Sequence, residues 1–156
     1  GGNTEFADMR AAYEALDDEL KDLVEDLICE HSQLYSRGKI GFTDFTDEER
    51  QRFEPVRQVM VRRHPVTGRK SLYLSSHAGG IVGWPVPEAR IFLQDLAEHA
   101  TQRQFVHAHE WQIGDLVIWD NRQTMHRARP FLDEQPRDMR RTTLAGDGPT
   151  VAQIRR

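Results

Sequence analysis

VIWDNRQTMHRARP, residues 117–130, is the stretch on which the fold of this chain turns. Val117, Ile118 and Trp119 form an apolar run with strand character. Asp120, Asn121 and Arg122 are turn-forming residues that end it. His126 follows inside a second short β segment, flanked by Arg122, Arg127 and Arg129. A strand that delivers one imidazole into a group of guanidiniums raises the question of what those cations meet.

Further arginines lie downstream in PRDMRRTTLAGD, residues 136–147. Arg137 and Arg141 stand four apart. On a strand they share a face, separated by a rise of roughly 13 Å. Facing inward, each needs an anion, because an unpaired buried charge is costly. A guanidinium fork matches a carboxylate with two parallel hydrogen bonds. Facing outward, both are simply solvated. Upstream, VHAHEW places His107 and His109 on one face of an expected strand, either as a chelating pair or as a polar edge. His31, His64, His77 and His99 have no partner at metal-site spacing and read as structural or exposed.

The rest of the chain supplies a scaffold. Its 156 residues, 38% apolar and 29% charged, suffice for one soluble domain with a sizeable core. The net charge of −4 gives no electrostatic footprint for nucleic acid. No apolar run approaches the roughly 20 residues of a membrane helix. The single cysteine, Cys29, excludes an internal disulfide, and a reducing cytoplasm is the simplest compartment.

Helical spacing of Phe6, Met9, Tyr13 and Leu16 predicts a first helix with Thr4 as its N-cap. A second helix is expected from Asp17 through residue 31, with Leu20, Leu23, Val24, Leu27 and Ile28 as its stripe. Residues 36–54 read as a long loop with a helical turn near Asp47–Arg52. Alternation around Val59 and Val61, turn chemistry at residues 64–70 and a return through Leu72 predict a hairpin. The Gly-rich run at 77–85 is expected to be irregular. Pro87 opens a third helix with Ala89, Phe92, Leu93, Leu96, Ala97 and Ala100 on its stripe. Short strands follow at 104–111, 116–119, 124–128 and 138–144, with a turn at 133–136. Closely spaced short strands of this kind suggest a jelly roll. The fold class expected is mainly β with flanking helices.

WDNRQTMHRA followed by RDMRRTTLAGD resembles the C-terminal signature of the TauD/TfdA family, and the opening GGNT resembles that family's GGDT element. The likeness runs over nearly the whole chain, leans to the phenoxyacetate-degrading side, and is most specific at residues 111–147. These are Fe(II)- and 2-oxoglutarate-dependent dioxygenases of small acids such as taurine and 2,4-dichlorophenoxyacetate. The resemblance implies part of a double-stranded β-helix, a cupin-like jelly roll, with iron on two histidines and a carboxylate. It implies His126 as a metal ligand, Thr4 and Arg137 as holders of 2-oxoglutarate, and Arg141 as the anchor for the substrate's acidic group. The implied partners are a small anionic substrate and O2. Neither nucleic acid nor membrane is expected, and self-association is.

One element is missing. The family takes its other two metal ligands from an HxD motif upstream of GGDT, and no histidine of this chain is followed two residues later by Asp. Residues 1–156 are therefore expected to be a single partial domain, the C-terminal portion of such an enzyme. Two alternatives stand beside this. One is a non-catalytic jelly-roll module for binding or assembly. The other is a cupin-type metal hydrolase or isomerase using His107, His109 and His126.

Overall fold

The structure, a computed structural model, describes residues 1–132, 134, 136–146 and 150. The elements in chain order are β1 (Thr4–Asp8), α1 (Met9–Glu14), α2 (Asp18–Glu25), β2 (Ile28–His31), α3 (Gln33–Gly38), α4 (Asp47–Arg52), β3 (Val56–Val59), β4 (Val61–Arg63), β5 (Lys70–Leu72), β6 (Ala78–Ile81), α5 (Val86–Ala100), β7 (Val106–His109) and β8 (Thr124–Ala128).

Thr4 does not cap a helix. It begins β1, and the cap of α1 is Asp8, whose carboxylate accepts from the backbone N–H groups of Arg10 and Ala11. Thr4, Phe6 and Asp8 point to one face of β1 and Glu5 and Ala7 to the other. The strand is antiparallel to β7 on one side and to β8 on the other, so two ladders of hydrogen bonds outweigh one more helical turn. The second expected helix also ends early. Asp17 caps α2 at the Leu20 N–H as expected, but residues 28–31 form β2, with Cys29 fully buried between β3 and β6. Burial pushes the Cys29 thiol pKa up to about 12.

α3 reaches into the expected loop at 36–54, while α4 lies where the helical turn was anticipated and starts with a capping box between Thr46 and Glu49. The expected hairpin is β4–β5. The Gly-rich run is not irregular throughout, because β6 pairs with β2. Gly79 makes that possible: a Cβ there would lie 2.6 Å from the Tyr35 ring of α3, which packs directly over the strand. α5 matches its predicted stripe, burying Ala89, Leu93, Leu96 and Ala100 against α1 and β6. His99 ties the layers together through its Nε2 and the Ala12 carbonyl, 2.8 Å apart.

Two expected strands are absent. Among the described residues, neither 116–119 nor 138–144 pairs with any neighbour. A strand is held by its ladder, and nothing in these residues offers one a partner edge. Ile113, Leu116, Ile118 and Leu144 are correspondingly 83–109% exposed. Of the expected turn at 133–136, Asp133 and Gln135 lie outside the described residues, as does Asp147 of the arginine-bearing motif.

Candidate active site

The sheet β7-β1-β8 builds the site. Its register sets Phe6 between His107 and His126, and Thr4 between His109 and Ala128. Directly opposed residues share a face. Thr4, Phe6, His107, His109 and His126 therefore line one side, while Ala7, Val106 and Met125 pack the other side onto the core. Phe6 keeps His107 and His126 two strand spacings apart, about 9.5 Å. Among the described residues no group of three His, Cys, Asp or Glu side chains could hold a metal ion. The three-histidine centre of the cupin alternative is thus not assembled.

His126 sits in an aromatic corner, its ring centroid 5.0 Å from that of Trp119 and 6.3 Å from that of Phe6. Burial lowers its pKa, and the positive charge of Arg141 adds to the effect. Both effects favour the neutral imidazole, the form that ligates metals. No hydrogen bond occupies either ring nitrogen among the described residues.

The arginines around His126 divide into two groups. Asp120 receives Arg122 Nε and Nη2 at 2.9 and 2.8 Å, and these bonds hold its carboxyl well below the usual carboxylate range. Asp120 also faces the buried His64 Nε2 at 3.2 Å. Backbone amides of Val66 and Thr67 donate to His64 Nδ1, and Nε2 lies 3.2 Å from both Asp120 Oδ2 and Arg122 Nη2. Arg127 and Arg129 both reach Glu5, at 2.6 and 3.5 Å. Arg122 therefore has Asp120 as its ion-pair partner, while Arg127 and Arg129 share the single charge of Glu5. Arg137 and Arg141 meet no carboxylate among the described residues.

Arg137 is nevertheless positioned. Its Nη1 donates to the Gly2 carbonyl at 2.8 Å, and its guanidinium lies 4.9 Å from the centroid of the Phe131 ring. Gly2 has φ +77°, and a Cβ there would lie 2.3 Å from Arg137 Nη1. Two residues on, Thr4 is 9% exposed, and its Oγ1 accepts from Trp111 Nε1 at 2.9 Å. The Trp111 ring stands edge-on to His109 at 4.6 Å, and His109 Nε2 pairs with Asp115 at 3.0 Å.

Thr4 thus lies two residues from Gly2, where Arg137 is held, His126 faces Phe6 from β8, and Arg141 is close enough to act electrostatically on His126. Arg137 and Arg141 do not share a strand face, because no strand forms at 138–144. Sequence reasoning missed three contributors: Gly2, Glu5 and Trp111. A repeated glycine beside the family-like motif was a signal for Gly2. For Glu5 and Trp111, only the strand register could have given their contacts.

The family model for the taurine catabolism dioxygenase TauD, TfdA family matches residues 1–143, and the chain belongs to this family. The chain is 47% identical over 147 residues to the alpha-ketoglutarate-dependent 2,4-dichlorophenoxyacetate dioxygenase of Cupriavidus pinatubonensis, covering 94% of this chain and 51% of that protein. It is 42% identical over 152 residues to the (S)-phenoxypropionate/alpha-ketoglutarate-dioxygenase of Delftia acidovorans, covering 94% and 52%. Among solved structures, AAD-2 in complex with Mn(II) and N-oxalylglycine superposes with a TM-score of 0.94 at 67% identity, covering 97% of this chain and 60% of that one. The fold is that of the jelly-roll dioxygenases of this family. The chain spans about half the length of the curated relatives it matches.

Proposed function

We propose that residues 1–156 are the C-terminal portion of an Fe(II)- and 2-oxoglutarate-dependent dioxygenase that hydroxylates a small organic acid, with aryloxyalkanoates the favoured class. The observation that carries this reading is the sorting of the arginines. Scaffold carboxylates take Arg122, Arg127 and Arg129, while Arg137, held at the Gly2 carbonyl in the space a Cβ would fill, meets no carboxylate among the described residues. Such a site fits a carboxylate.

Thr4 and Arg137 hold the far carboxylate of 2-oxoglutarate, one through a hydroxyl and one through a charged fork. His126, neutral and with both ring nitrogens uncommitted, is a metal ligand. The remaining ligands come from residues outside 1–156. N-oxalylglycine, which occupies the related AAD-2 structure, spaces two carboxylates as 2-oxoglutarate does. When bound, iron and 2-oxoglutarate supply the oxidising power that puts one atom of O2 into a substrate C–H bond and the other into succinate, with loss of CO2. This chain's residues bind and orient. Arg141 anchors the substrate's acid group, and Trp119 and Phe6 keep water from one side of His126. Hydroxylation next to an ether oxygen gives a hemiacetal, which collapses to a phenol and glyoxylate. The relatives named for 2,4-dichlorophenoxyacetate and phenoxypropionate support that class. The protein is expected to act in the cytoplasm, to self-associate, and to engage neither nucleic acid nor membrane. In the described residues no helix is long and apolar enough to cross a membrane.

The test uses the full-length protein that contains these residues. With Fe(II), 2-oxoglutarate and 2,4-dichlorophenoxyacetate in air, succinate and the phenol should form together. The reading fails if no aryloxyalkanoate, sulfonate or alkyl sulfate raises succinate formation above a metal-free control.

A further inference from the structure

We infer that Trp111 is a positioning residue for the co-substrate: its indole N–H fixes the Thr4 hydroxyl as a hydrogen-bond donor. The inference rests on the co-substrate reading above and assigns a role to a residue that does not itself touch the ligand.

A threonine hydroxyl has one proton to give and two lone pairs to receive. The indole nitrogen can only donate. At 2.9 Å from Thr4 Oγ1, Trp111 Nε1 therefore fills one lone pair and leaves the hydroxyl proton unspent. No acceptor among the described residues takes that proton. Thr4 is only 9% exposed, so water gives it little compensation. A buried donor without a partner is destabilising. That cost is recovered when an anion arrives beside Arg137, whose guanidinium is already held at Gly2.

Trp111 is itself braced. The His109 ring stands edge-on to it at 4.6 Å, and Asp115 Oδ2 accepts from His109 Nε2 at 3.0 Å and from the Gln112 amide at 2.9 Å. A turn at residues 112–115 thus sets the indole, and the indole sets the direction of the hydroxyl. Without the indole, the Thr4 rotor is free to point its lone pairs at the incoming carboxylate, which repels it.

The experiment is a double-mutant cycle in the full-length enzyme, read as the KM for 2-oxoglutarate and as the affinity for N-oxalylglycine. Trp111→Phe keeps the ring and removes only the N–H. It should raise the 2-oxoglutarate KM about fivefold, the effect of one hydrogen bond, with the change in KM rather than in kcat. In a Thr4→Val background the same substitution should change nothing further. Asp115→Asn, a surface change, should give a smaller rise that also disappears with Thr4→Val, and it serves if Trp111→Phe does not fold. Equal rises with and without the Thr4 hydroxyl would overturn the inference, because a merely structural tryptophan gives that result. Arg137→Lys separates the two readings. If it leaves co-substrate affinity unchanged, the co-substrate site itself is misplaced. If it weakens affinity while the cycle shows no coupling, only the role of Trp111 is lost.

Discussion

Gly2 and Arg137 occupy complementary space: the guanidinium donates to the Gly2 carbonyl at 2.8 Å, through the volume a Cβ on Gly2 would fill. Gly2→Ala therefore carries two penalties. At φ +77° an L-residue costs about 1–2 kcal/mol, and the new methyl expels the guanidinium. In the full-length enzyme we expect the 2-oxoglutarate KM to rise more than tenfold. Co-substrate titration of the variant measures it, and an unchanged KM would show that Arg137 reaches its anion by another path.

Asp120 fixes the corner that leads into β8. Asp120→Ala removes the carboxylate that faces the buried His64 and pairs with Arg122, and the expected loss is about 1–3 kcal/mol of stability. Chemical denaturation gives the number. The Asp120 carboxyl is held below its ordinary pKa, first by Arg122 and then by His64. A depressed folded pKa means the stabilisation is complete above the unfolded value, roughly 4, and drains away as pH falls below it. The variant should thus show a shallower decline of Tm on the acid side of pH 4.

His31 titrates the other way. Burial first, then the charges of Arg62 and His77, lower its pKa to about 4, against roughly 6.5 in an unfolded chain. Between those values the unfolded state binds the extra proton, so stability drops as pH falls from about 6.5 to 4, by up to about 3 kcal/mol. His31→Gln should flatten that interval in a Tm–pH profile. An equally steep profile in the variant would assign the loss to another group.

Arg141→Ala in the full-length enzyme should uncouple turnover, with 2-oxoglutarate consumed and substrate untouched. The substrate's anion would then lack the guanidinium fork that orients it. The ratio of hydroxylated product to succinate should fall several-fold while 2-oxoglutarate affinity is retained. A preserved ratio would remove Arg141 from substrate binding.

Residues 116–119 and 138–144 stay unpaired among the described residues, and Leu116, Ile118 and Leu144 there, with Ile113 nearby, are exposed. Unsatisfied strand-like backbone next to apolar side chains promotes association. Residues 1–156 alone should sediment as oligomers or aggregates, and Ile118→Lys with Leu144→Lys should shift them toward monomer. A sharp monomer for the parent chain would contradict this.

These same residues mark where sequence reasoning stopped. α5 was legible because its stripe, its proline and its length agree, and the capping box of α4 was written in Thr46 and Glu49. At 4–8 two periods competed. Phe6 serves a helical stripe with Met9 and Tyr13, and equally an alternation with Thr4 and Asp8; the long-range partners β7 and β8 decided it. Residues 28–31 continued a convincing stripe, yet β3 and β6 claimed them. Residues 116–119 and 138–144 carry the side chains of strands without the neighbours that would make them so. At the site, Thr4, His126, Arg137 and Arg141 were picked out by motif alone, and their roles are a proposal. The pairing of Arg127 with Glu5 was not legible, since it depends on residues 122 positions apart.

That separation has a consequence for biosynthesis. β1 lies at the centre of its sheet, yet both of its neighbours are translated long after it. A ribosome adding about 5–20 residues per second needs roughly 6–24 seconds to cover the 122 positions from Glu5 to Arg127. Until β7 is made both edges of β1 are bare, and one stays bare until β8 follows, although β2, β3, β6 and α5 have all been synthesised by then. Closure of this sheet must wait for β8, and that delay is a window in which a chaperone, or a misplaced strand from another chain, can reach β1 first.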